Sequence, residues 1–208
     1  MVQTRGSRPK RGGIPFDLWW WLVLGVGALP AVLLGLRTLG LWGGLGVNPV
    51  ETLVHDSGTY AIISLLIALA VTPLRQLTGW GTLARLRRLF GLIAFAYASL
   101  HVLLWLAVDL FFDWVLILED LILRPYITVG FAAWLILLAL ALTSTQAAMR
   151  RLRKHWVRLH RLVYLAGGLA LLHVIWLTRA DYREVMLYGV VLAVLLGWRV
   201  VFRLWSMR

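Results

Sequence analysis

Six runs of apolar residues, 18–36, 58–74, 89–108, 126–142, 162–177 and 185–201, dominate this 208-residue chain. Each approaches the roughly 20 residues with which an α-helix crosses a hydrocarbon core. In that medium an unpaired backbone N–H or C=O has no water to turn to, so such a run must close its own hydrogen bonds as a helix. The pattern predicts an all-α integral membrane protein, a bundle of six transmembrane helices. With 61% hydrophobic and 14% charged residues, a soluble domain of this length could not hide the apolar surface. A seventh apolar stretch, 109–125 (DLFFDWVLILEDLILRP), is broken by acids too often to span. Asp109, Asp113 and Asp120 share one face of an ideal helix, which predicts a short helix lying in the membrane interface.

Charge sets the orientation. Arg5, Arg8, Lys10 and Arg11 precede the first run as they would in a signal peptide, but that run is long and lacks a small-x-small cleavage site, so it reads as a retained helix. Assigning loops alternately puts 17 of the 21 Lys and Arg on one side, with Asp17 its only acid. The other side carries Arg37, Arg124, Arg179 and Arg183 against eight acids. The positive-inside rule then makes both termini cytoplasmic. The net charge of +12 is read as topology and contact with anionic membrane lipid, and no nucleic-acid partner is expected. The acidic side is either a solvated rim or a docking face for a basic patch on a partner. The chain divides into a basic cytoplasmic N-terminus (1–15), a transmembrane domain (16–203) and a cytoplasmic tail (204–208). No internal repeat is evident, and the membrane bundle is expected to be the whole protein.

The chain has no cysteine, which removes disulfides, thiolate catalysis, cysteine-ligated iron–sulfur clusters and c-type haem attachment. Polar side chains inside spans are expensive and need a functional account. His101 lies thirteen residues after Arg88 on the third run, and His173 twelve after Arg161 on the fifth. At about 1.5 Å per residue both stand some 20 Å from the basic edge. The two helices run in the same direction, so the imidazoles can face one another across a gap. Ala98 and Ala94 precede His101 by one and two turns, and Ala170 and Ala166 precede His173 likewise. Small side chains beside paired histidines leave room for a flat ring, and two neutral imidazoles saturate a haem iron, leaving electron transfer as its role. The plainer alternative is a small-residue packing face with hydrogen-bonded histidines.

His160 stands thirteen residues before His173, at the basic edge. It invites a second haem, but thirteen residues turn an ideal helix about 140° out of alignment, and the matching depth on the third run holds Arg88. The other readings are that it binds a propionate, a quinone or a flavin, or simply snorkels to the lipid headgroups. His155 reads as surface. His55 lies in NPVETLVHDSG, where Asn48, Pro49 and Glu51 have the form of a helix start. Gly58 is expected to end that turn or open the second span. An exposed Glu51 and His55 beside the pair could serve a partner.

The stretch from Asn48 to Gly58, the run RRLFGLIAFAYASLH ending at His101 and the run WVRLHRLVYLAGGLALLH ending at His173 resemble the MsrQ (YedZ) family, which lies in the ferric-reductase-like transmembrane superfamily. The resemblance implies a bacterial inner-membrane subunit that binds haem b, with FMN as a further cofactor. Electrons would come from the quinone pool or a cytoplasmic flavin reductase. They would go to a periplasmic, molybdopterin-containing methionine sulfoxide reductase that repairs oxidised proteins. It also implies that the cofactor-binding histidines are His101, His160 and His173, with His101 and His173 as axial ligands of the iron; no residue of this chain is expected to be catalytic. Two rival readings remain at this stage: a bundle whose intramembrane histidines relay protons or bind a metal, and a passive anchor for an external enzyme.

Overall fold

The computed structural model describes residues 16–205; the basic segment 1–15 and the end of the tail, 206–208, lie outside them. The elements are α1 (Phe16–Thr38), α2 (Pro49–Thr78), α3 (Gly81–Leu104), a π-helical turn (Trp105–Asp109), α4 (Trp114–Leu123), α5 (Pro125–Leu142), α6 (Gln146–Leu152), α7 (Lys154–His160), α8 (Leu162–Leu177) and α9 (Arg183–Trp205). The described residues contain no strand. Six helical segments are long and apolar enough to cross a membrane: α1, α2, α3 with its π turn, α5, α7 with α8, and α9. The protein is a multi-pass, all-α membrane protein, as the apolar runs require.

The spanning helix α2 is far longer than its apolar run, because its start lies at Asn48. The Asn48 side chain accepts from the Glu51 backbone N–H at 3.3 Å and donates to the Glu51 carboxylate at 2.9 Å, while Pro49 occupies the first turn, where its missing N–H costs nothing. The helix then runs unbroken through Gly58 to Thr78. Gly58 therefore neither ends a turn nor opens the span. Helix α2 is the most enclosed of the six spans. It packs on α1, α3, α8 and α9, while α5 packs on α3, α4 and α8.

The 109–125 region departs from a single amphipathic helix. Asp109 closes the π turn, and Phe111 and Phe112 follow with φ of 49° and 56°. Asp113 then caps α4 by accepting from the N–H groups of Val115 and Leu116. Asp120 is buried and paired with Arg124 at 3.1 Å. The three acids thus serve a turn, a cap and an ion pair, because the reversal at Leu110–Asp113 breaks the helical phase. Helix α4 does remain short, with Val115, Leu118 and Ile122 exposed, as an interfacial helix requires.

Helix α1 is tied to the bundle at its end by the Arg37–Asp56 ion pair and in its middle by Tyr97. Pro30 lacks an N–H to donate to Val26, and just past it the Tyr97 hydroxyl inserts into the helix ladder. That hydroxyl donates to the Gly27 carbonyl at 2.6 Å and accepts from the Ala31 N–H at 3.2 Å.

Candidate cofactor site

The acidic-end half of the bundle holds two histidines in matching seats. His101 on α3 and His173 on α8 face each other with ring centres 6.2 Å apart and planes at 74°. The Nδ1 of His101 lies 2.8 Å from the Val54 carbonyl, and that of His173 lies 2.7 Å from the Tyr126 carbonyl. A carbonyl only accepts, so each Nδ1 carries the hydrogen and each Nε2 keeps its lone pair. This arrangement fixes the tautomer and orientation of metal-binding histidines. Fully buried Ser57 also donates to the Val54 carbonyl, at 2.9 Å.

Each ring rests against bare backbone. A Cβ on Gly58 would come within 3.0 Å of the His101 ring, and one on Gly130 within 2.7 Å of the His173 ring. In both seats the glycine stands one helical turn after the accepting carbonyl, and carbonyl and histidine are 47 residues apart. The α2–α3 and α5–α8 pairs therefore repeat one device. This internal repeat escapes the sequence because it consists of two carbonyls and two glycines.

The alanine stripes also meet. Ala94, Ala98 and Ala166 are buried in one cluster with Leu65, Leu137 and Leu140, and Ala170 packs against it. Helices α3 and α8 each turn small side chains into this shared cluster but pack mainly on other helices, α3 on α2 and α8 on α5.

Two imidazoles bound to one metal, each by a bond of about 2 Å to Nε2, have ring centres roughly 6 Å apart. The His101–His173 pair already has that separation, and in both rings the nitrogen left without the carbonyl bond is Nε2. The residues fit an iron that takes only two protein ligands. No group of three or more His, Cys, Asp or Glu able to hold a metal ion occurs among the described residues.

His160 lies apart from the pair, at the basic end. Its ring stacks on Trp156 at 3.9 Å, and its Nδ1 lies 3.2 Å from the Trp156 carbonyl. Its Nε2 is buried without a hydrogen-bond partner among the described residues. The histidine lines a cavity of about 340 Å³ with Arg87, Arg88, Trp156, Ser144 and Gly91. The helix breaks at Arg161, between α7 and α8. Arg161 keeps right-handed helical angles (φ −71°, ψ −19°) and Lys154–Leu177 forms one span, so the break does not by itself bring His160 into phase with His173. His155 is exposed. His55 has a side chain 63% exposed and lies 3.7 Å from Asp56. The sequence named the histidines, but not Gly58, Gly130, Val54 or Tyr126, which seat them.

Residues 57–171 match the family described as ferric reductase like transmembrane component. Among curated relatives, the protein-methionine-sulfoxide reductase heme-binding subunit MsrQ of Xanthomonas euvesicatoria pv. vesicatoria is 52% identical over 183 residues, covering 86% of this chain and 84% of its own. The subunit of the same name from Xanthomonas campestris pv. campestris is 54% identical over 164 residues, covering 79% of this chain and 75% of its own. That of Bordetella pertussis is 49% identical over 191 residues, covering 91% and 84%. No solved structure matches the chain. The two mirrored histidine seats thus belong to a chain whose matches run through nearly all of the described bundle, and the protein is a member of the MsrQ family of ferric-reductase-like transmembrane proteins.

Proposed function

We propose that the protein is an electron-transfer membrane subunit that holds haem b between His101 and His173. The observation that carries this reading is the pair itself: two opposed rings 6.2 Å apart, each with Nδ1–H tied to a main-chain carbonyl. When bound, the haem supplies one-electron chemistry. The protein supplies the two Nε2 lone pairs, their orientation, and a dry shell of alanine and leucine. The names of the relatives, all heme-binding subunits of a protein-methionine-sulfoxide reductase, support the same role here.

In this reading the chain sits in the bacterial inner membrane with its basic ends, 1–15 and 204–208, on the cytoplasmic side of a transmembrane domain spanning 16–203. Electrons enter from the quinone pool or a cytoplasmic flavin reductase. They leave to a periplasmic, molybdopterin-containing methionine sulfoxide reductase subunit. The cavity at His160 takes a second cofactor near the entry side. Stacked Trp156 and His160 suit a flat ring, and Arg87 and Arg88 suit its anionic groups, as in a second haem or FMN.

The test is spectroscopic. Protein purified from membranes supplied with haem is expected to be red, with a reduced spectrum of low-spin, six-coordinate haem. His101→Ala and His173→Ala are each expected to lose that signal. Colourless protein, or a normal spectrum in either variant, overturns the assignment. Haem and flavin content per chain in His160→Ala then identifies the second cofactor.

A further inference from the structure

We propose that the first turns of α2 together with the π turn after α3 form the docking face through which electrons leave to a soluble acceptor protein with a basic rim. This inference rests on the haem reading above. The carbonyl that holds His101 belongs to Val54, and the next residue is His55, whose side chain is 63% exposed. One hydrogen bond and one peptide unit separate the His101 ring from solvent. Each event moves a single electron: the acceptor is reduced, the ferrous iron behind His101 is oxidised to ferric, and no bond forms or breaks.

The matching route from His173 does not reach water in the same way. It runs through the Tyr126 carbonyl at the start of α5, directly after α4, whose exposed residues are apolar (Val115, Leu118 and Ile122 among them) except for Glu119. That flank, with one acid among exposed apolar side chains, suits lipid better than a soluble protein.

Charge selects the partner. Helix α2 packs on the π turn, so Glu51 and Asp109 stand at the same end of the bundle, and both are exposed. Arg37 is held by Asp56 at 2.8 Å and by the Gly44 carbonyl, and Arg124 by Asp120. Neither Glu51 nor Asp109 has an ion-pair partner among the described residues. Exposed carboxylates left unpaired around an exit point steer a cationic surface toward it.

The chain has no cysteine, so His55→Cys takes a single fluorescent label. The probe is mitochondrial cytochrome c, a basic soluble haem protein that quenches nearby fluorophores. At low ionic strength it is expected to quench the label at position 55 at least about fivefold more strongly than one placed at Leu118→Cys on α4. The quenching should fall with added salt and fall again in Glu51→Lys and Asp109→Lys. Equal quenching at both positions, or no response to the two lysine variants, overturns the proposal. In haem-loaded protein, oxidation of the reduced haem by hexaammineruthenium(III) is expected to slow about fivefold in the same lysine variants, with an unchanged absorption spectrum and little change in Glu119→Lys. Equal slowing in Glu119→Lys also overturns it. Labelling needs no haem, so a colourless protein sinks the haem reading without deciding the docking face.

Discussion

A methyl group on Gly130 would stand 2.7 Å from Nδ1 of His173, inside the space that the ring and its carbonyl bond to Tyr126 occupy. The neighbour under pressure is a ring held at 2.7 Å by that bond, and it has little room to yield. Gly130→Ala is expected to displace the ring and cost about 1–3 kcal/mol of overpacking. The nearest approach at Gly58 is 3.0 Å, so Gly58→Ala should be the milder of the two. The measurement is haem content and the low-spin band per chain: Gly130→Ala should lose most of the signal and Gly58→Ala a smaller part. Full retention in Gly130→Ala would show that the seat is looser than its geometry.

Helix α1 offers a separable test. Among its residues only Leu34 is buried, so the Tyr97 hydroxyl and the Arg37–Asp56 ion pair carry much of its attachment. Tyr97→Phe leaves the Gly27 carbonyl and the Ala31 N–H without that bridge, a loss of about 1 kcal/mol. Limited proteolysis in detergent should cut α1 from the bundle sooner in the variant, while the His101 and His173 signal stays intact.

These two cases show what could be read from the chain and what could not. The apolar runs reveal six spans because hydrocarbon solvent leaves one solution per run. His101 and His173 stand out because a histidine within a span demands an explanation. Gly58 and Gly130 do not, since glycine is common in membrane helices and its partner ring lies on another helix. Asp109, Asp113 and Asp120 misled for the opposite reason. Their spacing suits one helical face only if the helix continues, and the left-handed Phe111 and Phe112 interrupt it. His160 was judged on helical phase alone, which says nothing of the Trp156 ring stacked on it or of the cavity it lines.

At the basic end, Trp156 both stacks on His160 and donates from its indole to the Thr143 carbonyl at 2.9 Å. It fixes the histidine and forms one wall of the cavity. Trp156→Leu is expected to lower retention of a second cofactor severalfold and to leave the His101–His173 spectrum unchanged. Cofactor counts by extraction, set against the absorption spectrum, separate the two effects. Loss of both signals together would mean that the two ends do not act independently.

Arg199 tests whether charge beneath that cavity serves binding or folding. Its guanidinium donates to the Leu69 and Leu195 carbonyls and lies 5.0 Å from the Tyr164 ring centre, while its Nε is buried without a hydrogen-bond partner among the described residues. No carboxylate pairs with it among the described residues, and Leu69 itself lines the cavity. Near the basic end of α9 an arginine can ordinarily reach the membrane edge, yet this one turns inward to two main-chain carbonyls, so a purely structural role is poorly served by it. An apolar replacement of similar length is often neutral or stabilising. Arg199→Met is therefore expected to keep or raise the thermal midpoint in detergent while lowering second-cofactor content. Arg199→Lys keeps the charge but cannot reach two carbonyls in the same fixed fork, so it should lower the midpoint and retain more cofactor than Met. The opposite order, with Met unfolding first and Lys behaving as wild type, would make Arg199 a brace between α2 and α9 and nothing more.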